Sequence, residues 1–232
     1  MRSQRLLLIP GILCDARLWS EQVESLADCF GIAVAELRRG ESISEMAEAV
    51  LGQAPRRFSL AGFSLGGQVA LEIARVAGER IERLALLSTT CAGVLPDVRA
   101  AIENAISTIE RGCFEQYLQH AYLGYVHPRR ARDGVLRRTF LEMARAVGPQ
   151  GAVRQMRASL SIRKPFPHLS RIACPAAIIA GEQDRYTSPA AQLELALSIR
   201  GSVLTMISDS GHFTPMEQPD AVTNALEAWL AA

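Results

Sequence analysis

The stretch Phe58-Ser59-Leu60-Ala61-Gly62-Phe63-Ser64-Leu65-Gly66-Gly67 is the most informative part of this chain about both fold and chemistry. Residues 62–66 fit the pattern Gly-x-Ser-x-Gly; an apolar segment precedes them and a helix-like segment, residues 68–75, follows them. A serine on a sharp turn between a strand and a helix forms a nucleophile elbow, which exposes its hydroxyl above the sheet. The alternative is a turn that only joins a strand to a helix. The strand–turn–helix context favours Ser64 as a nucleophile.

The composition is that of a single globular domain. The chain has 232 residues, of which 49% are hydrophobic and 21% charged, and its net charge is +1. This length suits one domain with an insertion. A near-neutral chain carries no overall signal for nucleic acid or for an anionic membrane surface, and no apolar run approaches the roughly 20 residues that span a bilayer. We therefore expect neither nucleic acid nor a membrane as a partner.

The cysteines and the N-terminus predict a cytoplasmic protein. The five cysteines are odd in number, widely spaced and never arranged as Cys-x-x-Cys, which favours reduced thiols over disulfides or a metal site. The apolar run at residues 5–9 ends at Pro10-Gly11 without a small-x-small cleavage site. A first core strand explains this run better than a signal peptide does.

Short apolar segments alternate with amphipathic ones along most of the chain. Strands are predicted at residues 5–9, 32–35, 58–61, 81–87, 176–180 and 203–207. Asp15 and Ser42 are predicted to begin the first two helices, and residues 220–230 form the last helix. Buried strands alternating with helices predict an α/β fold with a mainly parallel, doubly wound sheet.

This alternation stops between the fourth and fifth predicted strands. Residues 93–172 contain helical stretches at Val98–Arg111 and Cys113–Tyr122, and several glycines and prolines, including Pro165 and Pro167. We predict a helical cap at 93–172, inserted into a core made of residues 1–92 and 173–232.

The charge is divided unevenly between the predicted cap and core. The cap has 13 Arg and Lys against 6 Asp and Glu, or +7, and the rest has 12 against 18, or −6. A basic cap could attract a carboxylate, a phosphate or an acidic carrier protein. The simpler interpretation is that these side chains lie on solvated helix faces. Arginine is the usual cation of this chain, in which Lys164 is the single lysine.

A serine nucleophile needs a base and a group that orients the base. Of the four histidines, His212 directly follows the last predicted strand, where doubly wound sheets place their chemistry; His120, His127 and His168 lie in the insertion and are predicted to be structural. Asp184 follows the fifth predicted strand and is the preferred orienting carboxylate, with Glu182 and Asp209 as competitors.

An oxyanion hole needs two convergent donors. We predict the backbone N–H of Leu65, directly after the nucleophile, and that of Ile12 in the loop after the first strand, with Leu13 as the fallback. Leu13, Phe63 and Phe213 are predicted to border the substrate pocket. Most of the aromatic residues in the insertion, including Tyr125, are predicted to be packing core.

Together these motifs resemble the α/β-hydrolase superfamily, in its compact bacterial carboxylesterase-like and lactonase-like branch. The resemblance rests on Pro10-Gly11, residues 62–67, residues 181–184 and residues 210–219, which together span nearly the whole chain outside the predicted cap. The order Ser64, Asp184, His212 is the order of that superfamily. The resemblance implies the α/β-hydrolase fold, a sheet without the usual N-terminal antiparallel hairpin, and a cap after the family's sixth strand.

The resemblance also implies an activity. We expect a serine hydrolase that cleaves a carboxylic ester, thioester or lactone in a small-molecule acyl substrate, through an acyl-enzyme on Ser64, with no metal and no organic cofactor. A carbon–carbon bond hydrolase or a cofactor-free perhydrolase would use the same three residues. Two alternatives from another class are a non-catalytic ligand sensor and a module that docks an acidic carrier. The sequence does not specify an oligomeric state.

Overall fold

The computed structural model describes residues 4–162, 166 and 168–232. Residues 1–3 and, within the predicted cap, Lys164, Pro165 and Pro167 lie outside the described residues, together with residue 163. None of the described helices is long and apolar enough to cross a membrane.

Six parallel strands form one sheet in the described part of the chain. The strands are β1 (Arg5–Ile9), β2 (Gly31–Val34), β3 (Phe58–Phe63), β4 (Ile81–Leu87), β5 (Ala176–Gly181) and β6 (Val203–Ile207). Their order across the sheet is β2-β1-β3-β4-β5-β6, and every neighbouring pair is parallel. The predicted α/β fold with a parallel sheet is confirmed.

The sheet is buried on both faces, as its apolar strands require. In β1, Leu6 and Leu8 join one hydrophobic cluster while Leu7 and Ile9 join the other, because successive side chains point to opposite faces. All residues of β3 and β5, the strands that lead to Ser64 and Asp184, are buried. Ser64 and Asp184 therefore follow strands that are buried along their whole length.

Helices cover the two faces of the sheet. They are α1 (Ser20–Leu26), α2 (Ile43–Leu51), α3 (Leu65–Ala77), α4 (Pro96–Glu110), α5 (Phe114–Tyr125), α6 (Gly134–Leu160), α7 (Pro189–Ser198), α8 (Thr214–Glu217) and α9 (Pro219–Ala231). Buried residues of α2, α3 and α7 share one hydrophobic cluster, and those of α1 and α9 share the other. The Ser42 hydroxyl accepts the Glu45 N–H and caps α2, as predicted.

Three helices, α4, α5 and α6, lie between β4 and β5, where the sequence predicts the cap. The predicted ends were wrong by a few residues: α4 begins at Pro96 rather than Val98, because proline suits the first turn of a helix, and α5 continues to Tyr125. Helix α6 breaks at Gly148, which has φ 73° and ψ 167° just before Pro149. The domain boundaries at 93 and 172 stay a prediction.

Candidate active site

Ser64 occupies the tight turn between β3 and α3. Its backbone has φ 52° and ψ −116°, a conformation that a non-glycine residue holds only when the surroundings fix it. The Ser64 N–H donates to the Leu87 carbonyl at 2.8 Å, and the Ser64 carbonyl accepts the Thr89 hydroxyl at 2.7 Å. These bonds to the end of β4 hold the strained turn and leave the serine hydroxyl at the carboxyl edge of the sheet.

The glycines at positions 62 and 66 are required by close backbone approaches. A Cβ on Gly62 would overlap the carbonyl of Gly66, and a Cβ on Gly66 would overlap the carbonyls of Ile9 and Pro10. The start of α3 therefore packs directly against the loop after β1. This contact brings together the two segments that the sequence predicted to carry oxyanion donors.

His212 lies on the loop after β6, within hydrogen-bond distance of both predicted partners. Its Nε2 is 3.0 Å from Ser64 Oγ and its Nδ1 is 2.8 Å from Asp184 Oδ2. The His212 N–H donates to the Tyr125 carbonyl at 2.7 Å, which ties this loop to α5. The fold thus brings Ser64, Asp184 and His212, which are up to 148 residues apart in sequence, into one hydrogen-bonded chain.

The Asp184 carboxylate accepts four hydrogen bonds. Oδ1 accepts the Tyr186 N–H at 2.8 Å and the Thr187 N–H at 2.9 Å; Oδ2 faces His212 Nδ1 at 2.8 Å and accepts the Thr187 hydroxyl at 2.6 Å. Burial alone raises the pKa of this carboxyl, but His212 and the bonds from Thr187 outweigh it, so the pKa lies below its usual value. Asp184 is therefore a fixed anion at neutral pH.

The competing acids and the other histidines lie outside the hydrogen-bonded chain of Ser64, His212 and Asp184. Asp209 forms an ion pair with Arg129, and its side chain is 58% exposed; Glu182 is exposed. The imidazoles of His120 and His127 make hydrogen bonds to backbone groups of nearby residues. The imidazole of His168 bonds the Leu71 carbonyl.

The predicted oxyanion donors lie on either side of the elbow. Leu65 is the first residue of α3, so its N–H has no partner within the helix. The Leu13 N–H donates to Gln155 Oε1 at 2.9 Å. Within the described residues, no hydrogen-bond acceptor is found for the Ile12 N–H. Of the two candidates in this loop, Ile12 is the one whose N–H remains free for a ligand.

Aromatic rings enclose His212. Phe63, Tyr125 and Tyr186 have ring centroids 5.1, 5.5 and 5.3 Å from the imidazole. Tyr125 comes from α5, so the helical segment after β4 contributes a wall of the site, although the sequence favoured a packing role for most of its aromatics. The three rings restrict the orientation of the imidazole, which is buried.

The predicted pocket residues Leu13, Phe63 and Phe213 are buried, with exposed fractions of 0%, 1% and 1%. They pack around the site instead of lining an open cavity, and their contact with substrate stays a prediction. Within the described residues, no cluster of three or more His, Cys, Asp or Glu side chains is arranged to hold a metal ion.

Three residues that support the site had no assigned role in the sequence. Thr187 could have been found, because an aspartate side chain commonly accepts the backbone N–H of a residue two or three positions later, as Asp184 does with Thr187. Glu217 accepts the N–H groups of His127 at 2.6 Å and Gly211 at 3.0 Å, and so anchors the His212 loop. Gln155 gave no sequence signal, since it lies 142 residues from Leu13.

Comparison with known proteins concerns the fold and the enzyme class. Residues 6–225 match the model of the alpha/beta hydrolase family. A pimeloyl-[acyl-carrier protein] methyl ester esterase from Pectobacterium carotovorum is 29% identical over 98% of this chain and 94% of its own length. Among solved structures, an esterase from Thermogutta terrifontis superposes with a TM-score of 0.88 at 23% identity, covering 99% of this chain and 90% of that one. An enol-lactonase from Burkholderia xenovorans gives 0.89 at 21% identity, covering 99% and 92%.

The two structural neighbours show the same fold, and the full-length similarity to a methyl ester esterase agrees with the predicted enzyme class. The prediction of an enzyme that hydrolyses ester bonds is confirmed at this level. Since the family model covers all six strands and the segments that carry Ser64, Asp184 and His212, the chain belongs to the alpha/beta hydrolase family.

Proposed function

We propose that this enzyme cleaves a carboxylic ester through an acyl-enzyme on Ser64, with His212 as the base and Asp184 as the residue that orients it. The observation that carries the proposal is the continuous hydrogen-bonded chain from Asp184 Oδ2 through His212 to Ser64 Oγ, with steps of 2.8 and 3.0 Å. A serine hydroxyl becomes nucleophilic when an adjacent base can accept its proton.

In the first step Ser64 Oγ attacks the ester carbonyl carbon while its proton moves to His212 Nε2. The carbonyl oxygen becomes an oxyanion, which the N–H groups of Leu65 and Ile12 stabilise. Asp184 stays ionised and stabilises the imidazolium through Nδ1. The tetrahedral intermediate then loses its alcohol: the carbon–oxygen bond breaks, and the leaving oxygen takes the proton from His212 Nε2.

In the second step water replaces the alcohol. His212 Nε2 accepts a proton from water as its oxygen attacks the acyl carbon of Ser64, and the same two N–H groups hold the second oxyanion. The bond from the acyl carbon to Ser64 Oγ breaks, Ser64 regains its proton from His212, and the free carboxylic acid leaves. Each step uses the same three side chains.

A lactone or a thioester would react by the same sequence, since each presents an activated carbonyl and a leaving group that takes one proton. A carbon–carbon bond hydrolase or a perhydrolase would also use these residues, but the similarity to a methyl ester esterase favours ester cleavage. A non-catalytic sensor would have no need of a buried carboxylate, an imidazole and a strained serine in one hydrogen-bonded chain.

The test is hydrolysis of p-nitrophenyl esters from acetate to laurate by the wild type, Ser64→Ala and a control, Ser25→Ala, whose hydroxyl only bonds its own helix. We expect hydrolysis and fluorophosphonate labelling in the wild type and in Ser25→Ala, and neither in Ser64→Ala. A wild type that neither hydrolyses these esters nor reacts with the probe would contradict the proposal.

We further propose an acyl chain on an acidic carrier protein as the substrate class. The curated relative from Pectobacterium carotovorum acts on a methyl ester of this kind, and residues 93–172 carry a net charge of +7. Among the described residues of this segment, Arg132 and Arg138 are exposed and have no ion-pair partner. Such side chains favour an acidic surface at low salt.

This substrate class is tested by comparing one methyl ester free and linked to an acyl-carrier protein. Arg138→Glu should raise KM for the linked ester and leave the free ester unchanged, whereas Arg200→Glu, at the turn before β6, should affect neither. Equal KM values for the linked ester in all three proteins would refute docking through this segment while leaving ester hydrolysis on Ser64 unaffected.

A further inference from the structure

The loop after β1 forms a strained turn beside the nucleophile. The Cys14 N–H donates to the Gly11 carbonyl at 3.2 Å, which closes the turn, and Leu13 has φ 63°. Leucine rarely adopts this left-handed conformation and keeps it only where other contacts hold it. Something outside the turn must therefore fix it.

The turn is held against Ser64. A Cβ on Gly11 would lie 2.8 Å from the Phe63 ring and 3.1 Å from Ser64 Cβ, so the backbone of the loop passes directly over the elbow. Ile12 is the next residue, and its N–H is the proposed second oxyanion donor. A small rotation within this turn would change the direction of that N–H relative to the substrate carbonyl.

Two side chains fix the peptide between Ile12 and Leu13. Its N–H donates to Gln155 Oε1 at 2.9 Å, and its carbonyl accepts the Cys14 thiol at 3.3 Å. The Gln155 side chain is buried and also donates through Nε2 to the Leu37 carbonyl at 3.3 Å, in the loop after β2. Gln155 therefore connects α6 to two loops at the carboxyl edge of the sheet.

We infer that Gln155 is a positioning residue for the reaction, which acts through the Leu13 N–H to keep the Ile12 N–H directed at the oxyanion. The inference rests on the proposed function. When Gln155 accepts the Leu13 N–H, it holds Leu13 at positive φ and removes this N–H from competition for the substrate. Without that acceptor, the Ile12–Leu13 peptide can rotate and Leu13 can return to negative φ. The turn that the Cys14 N–H closes on the Gly11 carbonyl is then no longer held, and that carbonyl belongs to the same peptide group as the Ile12 N–H.

Through Gln155, the second half of α6 affects catalysis. Gln155 lies after the helix break at Gly148, on a segment of the predicted cap. The helix that carries it also contributes buried residues to the hydrophobic cluster that contains Phe63 and Phe213. Packing of α6 therefore determines where the acceptor for the Leu13 N–H stands.

The decisive variants are Gln155→Met, which keeps length and bulk but removes both polar groups, and Gln155→Glu, which keeps an acceptor for the Leu13 N–H. When protonated, this glutamic acid can also donate to the Leu37 carbonyl. Ser161→Ala is the matched control, because it removes a side-chain acceptor from a remote N–H, that of Ile43, just after the same helix. Hydrolysis of a p-nitrophenyl ester and inhibition by an aryl trifluoromethyl ketone are measured for each.

For Gln155→Met we expect kcat to fall about tenfold to a hundredfold, less than the roughly 10²–10³ for loss of an oxyanion donor, with KM within about twofold. The inhibition constant of the ketone, whose adduct with Ser64 carries an oxyanion, should rise by a similar factor. Gln155→Glu should restore kcat to within about threefold of the wild type, and Ser161→Ala should match the wild type within about twofold.

A folded Gln155→Met with wild-type kcat and ketone affinity would overturn the inference alone, since Ser64-dependent hydrolysis would be intact. Absence of Ser64-dependent hydrolysis in the wild type would overturn the proposed function and this inference together. If Gln155→Met does not fold, Gln155→Asn, whose shorter side chain draws the amide oxygen back from the Leu13 N–H, takes its place. In that protein a selective loss of ketone affinity supports the inference, and an unchanged affinity overturns it.

Discussion

The substitution Asp184→Asn tests the proposed orientation of His212 most directly. The amide of asparagine has one oxygen and one NH2 group, and the structure determines which faces the imidazole. With the NH2 group in place of Oδ1, it would oppose two backbone donors, the N–H groups of Tyr186 and Thr187. The Thr187 N–H is buried and the Tyr186 N–H is partly buried, and leaving a buried N–H unpaired costs about 1–3 kcal/mol. The NH2 group must therefore take the place of Oδ2.

In that position the NH2 group faces His212 Nδ1 and the Thr187 hydroxyl. The hydroxyl can rotate and accept, but Nδ1 can accept only if the imidazole proton moves to Nε2. Nε2 then presents a proton to Ser64 Oγ, 3.0 Å away, and cannot accept one. A wrong tautomer of this kind lowers kcat about 10⁴-fold in serine proteases, which corresponds to about 5.4 kcal/mol at 1.36 kcal/mol per tenfold.

The assay is steady-state hydrolysis of a short p-nitrophenyl ester at neutral pH. We expect kcat to fall about 10³- to 10⁴-fold with KM within about twofold, because the substrate does not contact Asp184 in the proposed mechanism. Asp209→Asn is the control: this acid is exposed and paired with Arg129, and its kcat should stay within about twofold of the wild type. A kcat for Asp184→Asn within tenfold of the wild type would refute the orienting role.

Three further predictions concern the supports of the site. Glu217→Gln should lower the free energy of unfolding by about 1–3 kcal/mol and reduce kcat, because an NH2 group would then oppose the N–H of Gly211 or His127; equal urea midpoints would contradict this. Gly148→Ala should lower the free energy of unfolding by about 1–3 kcal/mol, since φ 73° with ψ 167° is nearly exclusive to glycine. The control Gly134→Ala, at the start of the same helix, should be neutral or stabilising in the same thermal melts. The stabilisation from ionised Asp184 should be complete above the pKa of about 3.9 that this group has in the unfolded chain, and it should be lost as pH falls through the lower pKa of the folded protein. The difference in unfolding free energy between the wild type and Asp184→Asn should therefore shrink in acid, and a difference that grows would contradict the prediction.

The sequence predicted the elements that depend on local patterns. The apolar runs at residues 58–61 and 176–180 mark β3 and β5, because a strand buried on both faces must be largely apolar. The Gly-x-Ser-x-Gly pattern marked the elbow because only glycine tolerates the backbone approaches at positions 62 and 66. Helix ends in the insertion were less exact, since they depend on caps and tertiary packing as well as on periodicity.

Chain order also predicted which polar residues would meet. Ser64, Asp184 and His212 each follow a strand, and in a parallel sheet all strands end at the same edge. This topology alone predicts that the three residues lie close together. The sequence favoured Asp184 over Asp209, because Asp209 lies only three residues before His212. In the structure the Asp184 carboxylate bonds His212, and Asp209 pairs with Arg129.

The support around these three residues depends on the tertiary structure. Three contacts join segments that are 80 or more residues apart. The Tyr125 ring packs against the imidazole of His212, the Glu217 carboxylate accepts the His127 N–H, and the Gln155 amide oxygen accepts the Leu13 N–H. No local pattern encodes them, because a side-chain hydrogen bond to a distant backbone depends on how helices pack rather than on neighbouring residues. Local sequence patterns specify the sheet, the elbow and the order of the polar residues, since strand burial and parallel topology act through short-range rules. Which N–H groups stay free beside Ser64 depends on long-range packing, because α6 brings the side chain of Gln155 to the Leu13 N–H.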